Sequence, residues 1–131
     1  MCLATRYDVK VSTGTGYKVL RGDPPATGLC STVGYEFPLK KWVVDENPTA
    51  IKGVKNVGYY PAGFHICLSK GDACIIADQE GGKVYKVKFR KAVAIGGVHW
   101  IFFKHWDTDS PELECLTVVA KECKRISGAL G

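Results

Sequence analysis

The chain has 131 residues, 46% of them hydrophobic and 24% charged, and a net charge of +5. This is one domain of ordinary size, long enough to bury a core without metal or disulfide staples. The charge is too mild to identify nucleic acid as a partner by itself.

The opening stretch MCLATRYDVKV sets Arg6 and Asp8 where a secretory signal would need an unbroken apolar core. Six cysteines fall below the roughly 8–10% of short disulfide scaffolds, so free thiols in a reducing compartment are expected. The longest apolar run, AVAIGGVHWIFF, is well short of the ~20 residues that span a bilayer.

In chain order, TRYDVKV and GYKVL alternate apolar and polar residues and flank STGTG, which predicts two strands joined by a glycine-containing loop. RGDPPATGLCSTVG reads as a loop, because Pro24 and Pro25 remove two backbone donors. A short strand is expected around Trp42–Val44, stopped by Asn47-Pro48, and TAIKGVKNVGYYPAG as a surface loop. GFHIC then has strand propensity, and LSKGDACIIADQE reads as a helix. Ser69 is its N-cap, with Asp72 three residues on, Ala73, Ile76 and Ala77 form its apolar stripe, and Gly81-Gly82 end it.

KVYKVKFRKAVAI is the clearest strand. Tyr85, Val87, Phe89, Val93 and Ile95 share one parity, and Lys86, Lys88 and Arg90 the other. Gly96-Gly97 predicts a two-residue hairpin turn into VHWIFFKHW. The last strand is CLTVVAKECKRI, with SGALG as a frayed tail. The expected fold class is α+β, mostly antiparallel sheet with one short α-helix packed on it, in a single domain over residues 1–131.

If Gly96-Gly97 is the turn, Val93 faces Trp100 and Val87 faces Trp106 on the apolar side. Lys86 then meets Asp107, Lys88 meets His105 and Arg90 meets Phe103 on the other. A basic strand face interleaved with aromatics holds single-stranded nucleic acid through phosphate contacts and base stacking. It is also what a solvated outer face looks like.

Metal ligation is poorly served, since the chain has no C-x-x-C and no H-x-x-x-H. His65 and Cys67 lie on one side of a strand about 6–7 Å apart, but two further ligands would have to converge on them. His99 and His105 would stand roughly 20 Å apart along a regular strand. No metal and no cofactor is expected. Cys67 beside His65 resembles a thiolate–imidazole pair, although same-strand spacing seldom gives that pair its hydrogen bond. Removal of Met1 would make Cys2 an N-terminal nucleophile. STGTG lacks the Gly-Lys-Ser/Thr ending of a phosphate loop, and the Arg21–Asp23 tripeptide has no extracellular context.

A family pattern runs through Gly16-Tyr17-Lys18-Val19, Trp42, Tyr60-Pro61-Ala62-Gly63-Phe64-His65-Ile66 and Asp72-Ala73. It continues through Tyr85-Lys86-Val87-Lys88-Phe89-Arg90, Val93-Ala94, Gly96 and Val118-Val119-Ala120-Lys121-Glu122. Over about residues 16–126 these short motifs resemble small proteins encoded mostly by phages and prophages and recognisable by a G-F-H box. The chain departs from that pattern in VHWIFFKHWDTDSPELE, which is longer and more aromatic, and an elaborated loop there would undo the hairpin pairing.

The resemblance implies an accessory protein that acts by binding, and it carries over no catalytic residue. In the box itself, Gly63 is expected to permit an unusual backbone turn, Phe64 to pack, and His65 to bond a neighbouring backbone group.

The combined expectation is an intracellular binding protein, phage-encoded, that modulates a host process such as bacterial immunity from the host cytoplasm. Its partner is a host protein or protein complex, or nucleic acid. The binding residues are Lys86, Lys88, Arg90, Phe103 and His105, with Trp100 and Trp106 beside them. Two rival classes are a cysteine enzyme using Cys67 with His65, or Cys2, and a virion structural component.

Overall fold

A computed structural model describes residues 3, 6–22, 25–27, 35–53, 57–99 and 114–130. Seven strands and one helix occur in them, in the order β1 (Gly14–Leu20), β2 (Trp42–Val44), β3 (Ala50–Lys52), β4 (Tyr59–Pro61), β5 (Phe64–Cys67), α1 (Lys70–Glu80), β6 (Lys83–His99) and β7 (Glu114–Leu130). Every pairing between named strands is antiparallel. The fold is α+β, as the patterning predicts.

One sheet has the order β2-β7-β5-β1-β6, and β6 also pairs with β7. Strands β7, β5, β1 and β6 therefore close into a ring. The closing joint is short, the single pair Tyr17↔Cys67 between β1 and β5. Gly16 makes that approach possible. A Cβ there would stand 2.6 Å from Ile66 Cγ2 and 2.7 Å from the Cys67 carbonyl oxygen.

Alternation along the strands sorts residues to the two sides of the ring. Leu20, Phe64, Ile66, Val87, Phe89, Val118 and Cys123 form the inner core, with Phe37 added from the chain before β2. Phe64 is held edge-on by the rings of Tyr35 and Phe37, each with its centroid 5.2 Å away. Lys18 shares this side with Leu20 and is buried. Its Nζ donates to the His65 carbonyl oxygen at 3.0 Å. A second core of Ala73, Ile76, Ala77, Val84, Val98 and Val119 lies between the ring and α1, and Tyr60 belongs to it.

The helix obeys its local signals. Ser69 is extended (φ −115, ψ 131), and its Oγ accepts from the Asp72 N–H at 3.4 Å. Gly81 ends it in the left-handed region (φ 81), with the Gly81 and Gly82 N–H groups both donating to the Ala77 carbonyl.

Elsewhere four local expectations give way. Gly14 and Gly16 lie inside β1 and not in a loop, while residues 6–13 touch the sheet through a bridge from Tyr7 to Ile95. The expected surface loop before β5 holds the β3–β4 hairpin, in which Ile51 pairs with Tyr60. The expected tail is the end of β7, where Ala129 and Leu130 pair with Tyr85 and Val84.

The fourth is the Gly96-Gly97 turn. Strand β6 runs straight through both glycines, which pair with Thr117 and Leu116. A long ladder with β7 outweighs the turn propensity of two residues.

Candidate functional site

The loss of the Gly96-Gly97 turn rewrites the partners of the basic strand. Lys88 faces Lys124 of β7 on one side and Thr15 of β1 on the other, not His105. Arg90 faces Glu122, not Phe103, and Lys86 faces Tyr17, not Asp107. Val87 faces Gly16 and Arg125, and Val93 falls at a register shift between Ala92 and Ala94. Trp100, Phe103, His105 and Trp106 lie outside the described residues.

What the ladders bring to Lys88 is a different aromatic. Trp42 pairs with Lys124, and Lys124 pairs with Lys88. In-register neighbours point to the same face, so Trp42, Lys124, Lys88 and Thr15 form one row across β2, β7, β6 and β1. At ~4.8 Å per strand the row is roughly 14 Å long. Lys86 and Arg90 extend it on either side of Lys88, since residues two apart share a face.

Trp42 is engaged by two cations. The Arg90 guanidinium carbon is 3.9 Å from its ring centroid, and Lys124 Nζ is 4.9 Å away. Arg90 also donates through Nε to Glu122 Oε1, and Lys91 Nζ lies 2.7 Å from Glu122 Oε2. These contacts hold the Glu122 carboxyl below the usual carboxylate range, Lys91 first and Arg90 second. Lys91 reaches the carboxylate from a left-handed backbone (φ 59), which a non-glycine residue seldom adopts.

Arg90 and Lys124 thus line Trp42, Lys88 and Lys86 continue the basic face beyond Lys124, and Glu122 ties down Arg90 and Lys91. Like charges directly opposite each other, as Lys88 and Lys124 are, cost stability. An anion bridging them would remove that cost.

Reading β6 alone finds Lys86, Lys88 and Arg90 and misses Trp42, Lys91 and Lys124. The signals available were the lysines before Trp42 and the even-numbered charges of KECKR, but nothing local says that β2 and β7 are neighbours.

The alternative reactive pair does not assemble. His65 and Cys67 do share the outer side of β5, yet each takes a different partner. His65 Nε2 is 2.9 Å from the Tyr60 hydroxyl, which also accepts from the Leu3 N–H at 3.1 Å. The Gly63 backbone also acts on the ring, weakly favouring its charged form against burial. Kept neutral by burial, His65 is placed to accept at Nε2 from the Tyr60 hydroxyl.

Cys67 Sγ instead lies 3.4 Å from Cys115 Sγ. That contact, and then burial, push its thiol far above the ordinary range. Native Cys67 is expected to resist a bulky maleimide below pH 7 and to label only after unfolding; fast native labelling, mapped by peptide mass, would restore the enzyme reading. Cys2 lies outside the described residues. Among the described residues no group of three or more His, Cys, Asp or Glu side chains is placed to hold a metal ion, and no helix is long and apolar enough to cross a membrane.

His65 predicts a pH dependence. Burial first, then the Lys18 ammonium, push it from 6.5 down to about 3. The unfolded chain therefore binds a proton near pH 6.5 that the folded chain refuses. The stabilisation is complete above that pH and drains away as pH falls toward 3, by up to about 1.4 kcal/mol per pH unit. Urea midpoints at pH 7, 5.5 and 4.5 should fall less steeply in His65→Gln than in wild type. Parallel slopes would assign the loss to other groups.

No family model, no curated protein and no solved structure matches the chain.

Proposed function

We propose that this is a small binding protein whose working surface is the basic row around Trp42, and that the surface takes single-stranded nucleic acid. The observation carrying this is the juxtaposition of Lys88 and Lys124, in register and unneutralised by each other, beside a tryptophan already lined by cations. Phosphates would sit between the lysines. A base would stack on the exposed part of the Trp42–Arg90 pair, since an aromatic or guanidinium plane accepts any base. Arg90 is anchored by Glu122, so little side-chain freedom is lost on binding.

The G-F-H resemblance supplies the setting of this proposal. It is a phage-encoded accessory protein inside a bacterial host cell, acting on a host process such as immunity by occupying nucleic acid that the process needs. An acidic face of a host protein is the second reading, favoured by the same cations but leaving the stacking surface without a role.

The test is fluorescence anisotropy of a labelled oligothymidylate from 50 to 300 mM salt. The logarithm of affinity should fall linearly with the logarithm of salt, by about 0.7 per phosphate contact. A slope near −2 to −3 fits three to four such contacts. No binding at 50 mM salt would reject nucleic acid and leave the acidic-protein reading.

A further inference from the structure

The thiols of Cys67 and Cys115 touch in the outer core, with sulfurs 3.4 Å apart. Both residues are fully buried and belong to the same core beneath α1. Cys67 is the last residue of β5, paired with Thr117, and Cys115 stands two residues from that partner on the same side of β7. The Leu68 N–H donates to the Leu116 carbonyl at 3.0 Å, so the two strands remain joined one step beyond the pair. Neither sulfur serves the basic row or the His65–Tyr60 bond.

We propose that Cys67 and Cys115 form an oxidant-responsive site, which closes to a reversible disulfide. Closure needs the sulfurs to approach from contact to about 2.05 Å. The end of a strand can supply that movement, because β5 stops at Cys67 and the chain bends at Leu68 before the helix cap.

The oxidant is a small peroxide, since burial excludes bulky disulfides. One thiol takes an oxygen from hydrogen peroxide as a sulfenic acid and releases a first water. The other thiol attacks that sulfur, the S–S bond forms, and the hydroxyl leaves with the thiol proton as a second water. The balance is two thiols and one peroxide to one disulfide and two waters. The bridge clips the G-F-H strand to the start of β7 across 48 positions of chain.

The test is mild peroxide treatment of the native protein, alkylation under denaturing conditions, and intact mass with peptide mapping. The expected result is a loss of two hydrogens, two thiols fewer to alkylate, a 67–115 linked peptide, and a thermal midpoint raised by several degrees. Dithiothreitol should reverse all of it. Cys123, whose thiol burial pushes up to about 12, should remain alkylatable throughout. Cys115→Ala should lose the linked peptide and the midpoint shift. Because wild-type mapping alone decides the pairing, a variant that fails to fold does not matter. A disulfide between other cysteines, sulfinic acid at Cys67 or Cys115 without a bridge, or no change in thiol count would each overturn the proposal.

Discussion

Reversing the two central lysines, Lys88→Glu with Lys124→Glu, is expected to abolish oligonucleotide binding at 100 mM salt, a loss of at least a hundredfold. Each substitution deletes a phosphate partner and adds a repelling charge in the middle of the row. Trp42→Ala should cost about fivefold to 150-fold, from the 1–3 kcal/mol that a stacked base contributes. The two effects differ in their salt signature. The lysine variants should flatten the salt slope by about 0.7 per lost contact, while Trp42→Ala should lower affinity at every salt concentration and leave the slope alone.

Stability provides the control. Lys88→Glu alone faces Lys124 across the ladder, so it exchanges a like-charge pair for an opposite one. Its thermal midpoint should hold or rise while its affinity falls. A binding loss that instead tracks unfolding would remove the row from the function. The single variant Glu122→Gln probes the other side. It frees Lys91 and Arg90, and it should weaken binding, because Arg90 then has side-chain freedom to lose when a base stacks on it.

How much of this was legible depended on sequence distance. The α1 boundaries were readable because every interaction that sets them lies within five residues: the Ser69 hydroxyl on Asp72, and Gly81 turning left to close on Ala77. The alternation of β6 up to Arg90 was readable for the same reason. What lay across the ladder was not. Lys88 meets Lys124, 36 positions away, and Lys124 meets Trp42, 82 positions away. No local pattern encodes either register. The glycines of β1 and β6 misled in one direction. Gly14, Gly16, Gly96 and Gly97 all read as turn residues, and all lie within strands. Where a short ring must bring strands close, the missing Cβ matters for space and not for φ.

Gly63 makes that argument testable. Its expected role was an unusual backbone turn, but the positive-φ glycines among the described residues are Gly22, Gly58 and Gly81. Gly63 is instead pressed against β7. A Cβ there would lie 2.8 Å from the Ala120 carbonyl oxygen and 2.9 Å from Val119 Cγ1. Neither neighbour can yield easily, because Ala120 is paired to Phe64 on one side and to Ala92 on the other. Gly63→Ala is therefore expected to cost on the order of 3 kcal/mol, in the range of overpacked cores. The thermal midpoint should drop by roughly 10 °C. Gly128→Ala is the matched comparison: open space surrounds its Cβ position and its φ is not positive. There the substitution should be neutral or stabilising by up to about 1 kcal/mol, because alanine narrows the unfolded ensemble. Equal midpoints for the two variants would mean that β5 and β7 can move apart at Gly63. The G-F-H box would then owe its glycine to something other than the closeness of these two strands.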